Sequence, residues 1–359
     1  MLTGVYTENF RNLKTDTIEL HSGVNLFIGR NGAGKTNFLE SIHLAACGKS
    51  WKNAGNLDFI RFGADYARVA AETSGGSGRK IEVRLRGSGG SGLPKEIFVG
   101  GAQIRRLGEL YGALRLVSFS PEDVWVVKLG PAERRRLLDM ELCQTSSVYY
   151  YNLKQYYHTL KQRNACLRGL FGRPLRDFAE LEVWDEALAG FGAEIISARR
   201  AFCRELADCA AEIHAELSGG AEDFKALYRP NAEEAALLPK LRRTAERDVN
   251  LGATSAGPHK DDLTLLLNGR EAKLYASQGQ QRSVCLSLKL AVLRRAAENS
   301  AEPPVLLLDD VFSELDGKRR RYLMDCAGRS QTLITSAEAS DIAGDRVFLV
   351  ENGEISKIR

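Results

Sequence analysis

The chain has 359 residues, of which 44% are hydrophobic and 27% are charged, and these values predict a sizeable buried core and exclude a largely disordered chain. Its 50 basic and 46 acidic residues leave a formal net charge of +4, which is compatible with nucleic-acid binding but does not argue for it. The length suits two domains, or one domain with a large insertion.

Three features of the sequence indicate where in the cell the protein resides. The seven cysteines are scattered and form no Cys-x-x-Cys pair, so they indicate reduced core residues rather than a zinc ribbon or a redox motif. Residues 1–10 carry Glu8 and lack an apolar segment, which is not typical of a signal peptide. No stretch approaches the roughly 18 uncharged apolar residues of a membrane helix. The sequence therefore predicts a cytoplasmic protein with no membrane partner.

The first part of the chain alternates strand-like runs with turns. Apolar alternation over 18–28 predicts a strand ahead of a glycine-rich loop, and the spacing over 37–46 predicts a helix after it. Two further strands are predicted, at 66–72 and 80–86. Two Gly/Ser-rich runs are interpreted as exposed hairpin tips, at 74–78 and 87–92.

The middle of the chain, from about 121 to about 247, changes to long helical stretches. Segments 169–174 and 217–230 are interpreted as breaks between helices, and the absence of a sustained heptad register argues against one long coiled coil. Beyond 263 the strand character returns. Helices are then predicted at 279–297 and 318–327, and strands at 305–308, 332–335 and 346–350.

This order of elements predicts an α/β domain that is split in sequence. Its two parts are residues 1–120 and 250–359, and a mostly helical inserted domain occupies 121–249.

One octapeptide fits the pattern GxxxxGK(S/T) between a predicted strand and a predicted helix. It consists of Gly29, Arg30, Asn31, Gly32, Ala33, Gly34, Lys35 and Thr36. Backbone N–H groups of such a loop surround phosphates, Lys35 would neutralise the β and γ oxygens, and the Thr36 hydroxyl would bind Mg²⁺. Asn37, at the start of the following helix, is included in the predicted nucleotide site. A glycine-rich turn with a chance lysine is the disfavoured alternative.

A second motif is the apolar run 305–308, which ends in two carboxylates. A strand that is buried on both faces can deliver acids at its carboxyl end to a phosphate site. We expect Asp309 to hold Mg²⁺, directly or through water, and Asp310 to polarise the attacking water. Lys35 and Asp310 are therefore the predicted catalytic residues. Acids that merely cap a strand end are the alternative.

A third motif lies at the start of the helix predicted at 279–297 and contains Ser277, Gln278, Gly279 and Gln280. Small and amide residues at a helix N-terminus form a second anion site. Two such sites on one chain are explained if two subunits pair head to tail, so that each helix start faces the γ-phosphate of the other. An ordinary polar N-cap is the alternative. Asp316 fits a loop that crosses the same interface, although alone it is a weak signal.

In this order the motifs resemble the SMC-like branch of the ABC ATPases, and within that branch the bacterial RecF family. The most specific stretches are 254–262 and 277–282. Further matching stretches are 9–12, 29–40, 120–123, 134–139, 157–164 and 306–316. The resemblance implies an ABC-type ATPase head with a Walker A site, a Walker B pair at Asp309 and Asp310, a signature at 277–280 and a D-loop at 313–316.

The resemblance also implies what the protein does. The implied activity is ATP-dependent dimerisation on double-stranded DNA, or at junctions of single and double strands, ended by slow, DNA-stimulated hydrolysis. The implied task is to help load RecA recombinase at gaps and stalled forks, together with RecR and RecO. Three positions depart from the usual ABC pattern. Asp310 is one methylene shorter than the glutamate common in ABC proteins, and Ser120 or Glu122 stands where a Q-loop glutamine is expected. Residues 335–337 replace the switch histidine, so sensing of the γ-phosphate would fall to a hydroxyl there.

Basic and aromatic clusters are the candidates for contacts with DNA. Phosphate contacts could come from Arg134–Arg136, Lys161 with Arg163, Arg199 with Arg200, Arg242 with Arg243, and 318–321. A solvated helix face is the alternative for each cluster. The tyrosines at 149–151 and 156–157 are interpreted as core residues rather than as stacking partners for bases. For His259, structural, phosphate-contacting and interface roles stay open.

The sequence disfavours two other functions and leaves a third open. The nucleotide-binding subunit of a transporter would carry a shorter insertion, and a structural SMC head would need hundreds of residues of heptads. A DNA-bound scaffold, in which ATP binding acts as a switch and hydrolysis is vestigial, stays open.

Overall fold

The computed structural model describes residues 1–51, 54–74, 79–87, 94–172, 179–298, 302–337 and 343–359. Most of both Gly/Ser runs that the sequence interprets as hairpin tips lies outside the described residues. Contacts group the chain into two compact units. The first is Met1–Asp123 with Val292–Arg359, and the second is Val124–Ala291. The second unit thus includes 250–291, and the domain boundaries at 121 and 249 stay a prediction.

Strands and helices follow one another in an α/β order. The strands are β1 (Leu2–Glu8), β2 (Asp16–Glu19), β3 (Val24–Ile28), β4 (Tyr66–Thr73), β5 (Lys80–Arg86), β6 (Lys95–Val99), β7 (Ala102–Ile104), β8 (Leu116–Phe119), β9 (Phe224–Arg229), β10 (Asp262–Leu267), β11 (Arg270–Glu271), β12 (Val305–Asp309), β13 (Thr332–Ser336), β14 (Arg346–Glu351) and β15 (Glu354–Lys357). The helices are α1 (Lys35–Cys47), α2 (Trp125–Lys128), α3 (Pro131–Thr145), α4 (Ser147–Gly169), α5 (Glu182–Ser218), α6 (Leu237–Arg243), α7 (Ala245–Leu251), α8 (Ala272–Tyr275), α9 (Gln278–Glu298) and α10 (Gly317–Ala327).

A sheet of order β15-β14-β3-β13-β12-β8 organises the first unit. Its strands are parallel except for β15, which pairs antiparallel with β14. The apolar run of β12 is buried throughout, as expected of a strand covered on both faces. Because β3, β13 and β12 are adjacent and parallel, their carboxyl ends meet at one edge of the sheet.

A second sheet in the first unit is antiparallel, with the order β2-β1-β4-β5-β6-β7. Helix α1 contacts strands of both sheets and is buried along nearly its whole length. Because both of its sides are covered, its polar residues Glu40, Ser41 and His43 are buried along with its apolar ones. Phe27 of β3 stacks on Phe348 of β14 at 4.7 Å and lies 4.8 Å from Phe38 of α1, so aromatic rings join the helix to the parallel sheet.

The second unit combines long helices with a small sheet of order β11-β10-β9. Helix α5 has 37 residues and packs on both α4 and β9. The predicted break between helices at 217–230 is confirmed, because α5 ends at Ser218 and the next α-helix, α6, begins at Leu237. The break also contains a strand that the sequence did not indicate, residues 224–229, which pairs antiparallel with β10. The six-residue alternation was too short to recognise without its partner strand, which lies far along the chain.

The other predicted elements agree with the structure in kind. The helices predicted at 279–297 and 318–327 correspond to α9 and α10. The strand predicted over 18–28 is two strands, β2 and β3, separated by a turn. In the part of the chain that the structure describes, no helix is both long enough and apolar enough to cross a bilayer.

Candidate nucleotide-binding site

The loop between β3 and α1 requires glycine at two of its positions. A Cβ at Gly29 would lie 2.2 Å from the carbonyl oxygen of Val350 in β14, which leaves no space for a side chain. Gly34 has a φ of 121°, and a Cβ there would lie 3.0 Å from Leu13 and 3.1 Å from the Asn12 amide oxygen. Both glycines let the loop lie directly against neighbouring segments. The glycine pattern predicted as a phosphate loop is therefore held in one tight conformation.

Lys35 is buried at the start of α1, and its side chain turns back over the loop. Its Nζ donates to the carbonyl oxygens of Gly29 at 2.6 Å and Arg30 at 3.1 Å. Burial lowers the pKa of Lys35, while the carboxylates of Asp310 and Asp309 act in the opposite direction. The amine is a cation with incomplete hydration, which strengthens its attraction for an anion at this point.

The start of α1 supplies backbone donors beside this amine. Hydrogen bonding within the helix begins with the N–H of Phe38, which donates to the Gly34 carbonyl at 2.9 Å. The N–H groups of Lys35, Thr36 and Asn37 therefore point out of the helix start, where the helix dipole favours negative charge. These donors and the buried amine together fit the triphosphate group of a nucleoside triphosphate.

One carboxylate oxygen of Asp309, at the end of β12, accepts hydrogen bonds from two hydroxyl groups. The hydroxyls of Thr36 and Thr335 each donate to Oδ1 of Asp309 at 2.8 Å. The structure thus brings together Thr36 and Asp309, the pair predicted to bind Mg²⁺. Mg²⁺ prefers oxygen ligands and keeps several waters or phosphate oxygens, so one hydroxyl and one carboxylate from the protein fit it. The described residues contain no group of three or more His, Cys, Asp or Glu side chains that could hold a metal ion.

Asp310 has a left-handed backbone conformation, with φ 50° and ψ 28°. Its N–H donates to Oγ1 of Thr335 at 2.9 Å, and its carbonyl accepts the Ser313 hydroxyl at 2.8 Å. Aspartate is one of the few residues besides glycine that adopt this conformation readily. Thr335 is fully buried and bonded to both aspartates, so the phosphate-sensing role expected for a hydroxyl of 335–337 does not suit Thr335.

Two segments from elsewhere in the chain form hydrogen bonds with the phosphate loop, which the sequence did not indicate. The Asn12 amide donates to the Gly32 carbonyl at 3.0 Å and accepts from the Asn37 amide at 2.8 Å. The Asn37 side chain, predicted to bind the nucleotide, is thus engaged with Asn12. At the β14–β15 turn, Gly353 donates its N–H to the Ala33 carbonyl at 2.8 Å. The dipeptide Asn352-Gly353 signals a hairpin in the sequence, but nothing local indicates that the hairpin packs on the loop.

The predicted signature forms the N-terminus of α9 in the second unit. Ser277 and Gln280 cap the helix reciprocally: the Ser277 N–H donates to Gln280 Oε1 at 2.8 Å, and the Gln280 N–H donates to Ser277 Oγ at 3.3 Å. Ser277, Gln278 and Gly279 are exposed. The helix start is therefore both ordered by its own side chains and accessible.

A chain of hydrogen-bonded side chains, partly buried at Glu222 and fully buried at His214, supports Gln280. Its Nε2 donates to Oε1 of Glu222 at 2.9 Å, and Oε2 of Glu222 lies 2.9 Å from Nε2 of His214 in α5. His214 is fully buried. Sequence reasoning missed both residues, because nothing near Glu222 or His214 in the chain refers to the signature about 60 residues later. The Gln280 side chain therefore supports the motif from inside the second unit.

Asp316 caps α10 in the first unit. Its Oδ1 accepts the Arg319 N–H at 2.9 Å, and its other oxygen accepts from the Arg319 guanidinium. The backbone hydrogen bond from Arg319 is the main cause of the lowered pKa of Asp316. A role for Asp316 toward nucleotide stays a prediction.

Three of the arginines predicted to face DNA or solvent are buried in ion pairs. Arg134 forms a bidentate pair with Asp262 at 2.6 and 3.0 Å. Arg163 contacts Asp185 and Asp248, and Arg199 contacts Asp139 and Asp261. For these three arginines, both the DNA-contact and the solvated-face interpretations are wrong. Burial of a basic residue depends on carboxylates that lie far away in the chain, and a local charge pattern does not reveal them.

Two further arginine candidates are partly exposed, and the tyrosine candidates include both buried and exposed residues. Arg200 pairs with Glu233 and Glu234 and Arg242 pairs with Glu182, all at partly exposed positions. Tyr149 and Tyr156 are buried as interpreted, whereas Tyr151 and Tyr157 are 52% and 44% exposed and are not core residues.

The segment 254–262, the most specific part of the family resemblance, is the centre of these buried networks. Thr254 accepts from Arg163 at 2.9 Å, and Asp261 accepts from Arg199 at 3.1 Å and from the Tyr228 hydroxyl at 2.5 Å. His259 donates from Nε2 to the Thr254 carbonyl at 3.0 Å, so its Nδ1 accepts from the Tyr156 hydroxyl at 2.6 Å. Burial lowers the pKa of His259 to about 4, which keeps the imidazole neutral. Its role in the structure is to support this segment.

Comparisons with known proteins agree on the family. A family model described as the RecF/RecN/SMC N terminal domain matches residues 1–349. The DNA replication and repair protein RecF of Lachnoclostridium phytofermentans is 37% identical over 356 residues, covering 97% of each chain. The protein of the same name from Ruminiclostridium cellulolyticum is 40% identical over 341 residues, covering 91% of this chain and 90% of the other.

Solved structures give the same result for the fold. A structure of the recombination mediator protein RecF with ATP, in the RecFOR pathway, superposes with a TM-score of 0.91 and 34% identity and covers 100% of this chain and 97% of that chain. An Smc head bound to the C-winged helix domain of ScpA matches with a TM-score of 0.60 and 16% identity over 99% of this chain and 96% of that chain, which supports the fold alone. The α/β ABC-ATPase fold predicted from the sequence is confirmed, and the chain belongs to the RecF family of the RecF/RecN/SMC group.

Proposed function

We propose that this protein is an ATP-dependent DNA-binding protein of recombinational repair. ATP with Mg²⁺ binds between the phosphate loop and the Walker B strand and holds two copies head to tail on double-stranded DNA. Slow hydrolysis then releases them. The cytoplasmic location and the weak, DNA-stimulated ATPase activity expected from the sequence belong to the same proposal.

The observation that carries the nucleotide part is the convergence of three groups at one edge of the parallel sheet. The buried amine of Lys35, the hydroxyl of Thr36 and the carboxylate of Asp309 come from two motifs far apart in sequence. In this arrangement Lys35 neutralises β and γ oxygens, while Thr36 and Asp309 hold the metal. Bound Mg²⁺ would supply charge neutralisation for the phosphates.

Asp310 is the residue that we assign to the attacking water. It follows Asp309 directly, and its carboxylate can accept a hydrogen bond from a water at the γ-phosphate. Because aspartate is shorter than glutamate, the water is held less closely, and slow turnover is expected. Slow turnover suits a protein whose ATP-bound state must persist on DNA.

The dimer part rests on the signature. Ser277, Gln278 and Gly279 present an exposed, capped helix start, which attracts anions. In a head-to-tail pair, each copy would set this helix start against the γ-phosphate that the other copy holds. Relatives described as recombination mediators of the RecFOR pathway support a repair role. RecR and RecO as partners, and help in loading RecA at gaps and stalled forks, follow from that resemblance.

Sedimentation velocity tests the proposal directly. The protein is run with ATP and Mg²⁺, with ADP and Mg²⁺, and without nucleotide, each with and without duplex DNA. We expect a dimer with ATP and a monomer with ADP or without nucleotide. Duplex DNA should stabilise the ATP-bound dimer further. A monomer under every condition would overturn the ATP-held dimer.

The scaffold with vestigial hydrolysis is the second candidate, favoured by the short carboxylate and left-handed backbone of Asp310. Steady-state turnover of the wild type and of Asp310→Asn, with and without duplex DNA, separates the two. A substantial loss in Asp310→Asn supports hydrolysis as part of the cycle, and equal rates in both proteins support the scaffold.

A further inference from the structure

Thr335, at the carboxyl end of β13, stands between the two aspartates of the site. The parallel register pairs Thr335 with Asp309 of β12, so the two side chains are neighbours in the sheet. The Thr335 Oγ1 lies 2.8 Å from Asp309 Oδ1 and 2.9 Å from the backbone nitrogen of Asp310. A hydroxyl donates one hydrogen and accepts others, so it can satisfy both groups at once.

The direction of these hydrogen bonds defines a chain through the site. The Asp310 N–H donates to Thr335 Oγ1, and the Thr335 hydroxyl in turn donates to Asp309 Oδ1. The Thr36 hydroxyl donates to the same Oδ1 at 2.8 Å. One buried hydroxyl therefore links the backbone of one aspartate to the carboxylate of the other and, through it, to the phosphate loop.

We propose that Thr335 is a positioning residue that orients the Asp309 carboxylate for the metal and holds the Asp310 backbone in its left-handed conformation. This inference rests on the proposed function, in which Asp309 binds Mg²⁺ and Asp310 acts on water. It assigns both effects to a fully buried residue whose hydroxyl is engaged by the two aspartates.

Two physical consequences follow from the loss of this hydroxyl. Asp309 keeps the Thr36 contact but is no longer held on the β13 side, so its carboxylate can rotate away from the metal position. The Asp310 N–H is left without its acceptor, and the left-handed conformation, unfavourable for residues other than glycine, loses one of its supports. Metal-dependent binding and turnover should therefore fall together.

The strand contains a matched control. Thr332 is as fully buried as Thr335, but its hydroxyl donates to the carbonyls of Ala327 at 2.9 Å and Ser330 at 3.0 Å, at the opposite end of β13. Thr332→Val and Thr335→Val remove the same group from the same strand. The pair Thr335→Ser and Thr335→Ala provides a second comparison, since these variants share the loss of the methyl group and differ in the hydroxyl.

The readout is the ratio of affinities for a fluorescent ATP analogue with and without Mg²⁺, measured by anisotropy on the full chain, with thermal melts run alongside. We expect Thr335→Val and Thr335→Ala to reduce the Mg²⁺ enhancement about tenfold or more, the range typical of groups that orient metal ligands. Thr335→Ser and Thr332→Val should keep the wild-type ratio. In steady-state assays, kcat should fall in the first two variants more than KM rises.

Each outcome has a separate meaning. If the wild type shows Mg²⁺-enhanced binding and Thr335→Ala retains the ratio of Thr335→Ser, the positioning role is overturned while the proposed function stands. A wild type that binds no ATP analogue would overturn the proposed function itself. Should Thr335→Val fail to fold, the Ser and Ala variants decide the question alone.

Discussion

The hydroxyl of Thr36 donates to the carboxylate of Asp309 at 2.8 Å, across 273 positions of sequence. Thr36 follows the loop at the end of β3, and Asp309 ends β12, with β13 between the two strands. Since all three strands are parallel, their ends converge, and a phosphate-binding motif and a metal-binding motif become one site.

Replacing Lys35 by alanine should abolish the ATP-dependent dimer. The variant loses a buried cation at the loop, and contacts of this kind contribute about 1.5–3 kcal/mol, so ATP affinity should fall roughly 10- to 150-fold. Sedimentation with ATP and Mg²⁺ provides the measurement. Lys14→Ala is the control, because its exposed amine pairs with Glu354 beside the same loop. A Lys35→Ala protein that still dimerises would contradict the assignment.

An arginine at position 277 should separate nucleotide binding from dimerisation. Ser277 is exposed at the start of α9, so Ser277→Arg adds a bulky side chain where the partner's phosphate would lie. ATP should bind with unchanged affinity in an equilibrium assay, while the dimer disappears in sedimentation. Ser277→Thr, which keeps the capping oxygen, should behave as the wild type. Loss of ATP binding in Ser277→Arg would show that the signature does not act on a second copy.

Glu222→Gln should weaken the dimer without changing nucleotide binding. Both carboxylate oxygens face donors, Gln280 Nε2 and His214 Nε2, so a glutamine must turn its amide N–H₂ toward one of them. A loss of about 1 kcal/mol corresponds to a roughly fivefold weaker dimer. The control is Asp223→Asn, the neighbouring acid, whose exposed pair with Lys225 lies outside this chain of contacts. Equal effects of the two substitutions would argue against the support of Gln280 by Glu222.

Two adjacent arginines in α5 should differ sharply in their contribution to stability. Arg199 is buried between Asp139 and Asp261, so Arg199→Gln leaves buried carboxylates without their cation and should cost about 3–5 kcal/mol. Arg200 is 35% exposed and pairs with surface glutamates, so Arg200→Gln should cost about 0–1 kcal/mol. Urea denaturation measures both values. Similar costs for the two variants would mean that Arg199 is not a structural ion-pair residue.

The stability of the protein should depend on pH through His259. Burial lowers its folded pKa to about 4, below the unfolded value of 6.5, so between these values only the unfolded chain takes up the proton. The stabilisation is complete above pH 6.5 and is lost as the pH falls toward 4, by about 2 kcal/mol at pH 5.

Comparison with His259→Gln isolates this contribution from that of the carboxylates. Glutamine can both donate to the Thr254 carbonyl and accept from Tyr156, but it does not titrate. Urea denaturation at pH 7 and pH 5 should therefore give a smaller loss for the variant than for the wild type. The same loss in both proteins would place the pH dependence elsewhere.

Much of the site could be predicted from local sequence. The pattern 29–36 encodes its own backbone, because glycines at fixed positions permit the tight loop and the lysine and threonine follow it into a helix. The run 305–310 likewise carries its meaning in order, with apolar residues first and carboxylates last. Two such motifs on one chain are enough to predict where they meet, since parallel strands end together.

Other parts depended on contacts that no local pattern contains. Thr335 looks like any threonine in an apolar strand until the register sets it beside Asp309. Arg199 and Arg200 are chemically identical neighbours, and only the packing of α5 buries one and exposes the other.

The sequence by itself determined the family, the fold class and the two motifs that converge on the nucleotide, because each is encoded by residues close together in the chain. Tertiary structure alone decided which arginines are buried, which hydroxyl joins the two aspartates, and which glutamate supports the signature. The physical reason is that burial and hydrogen bonding at these positions depend on partners brought together by strand register and helix packing.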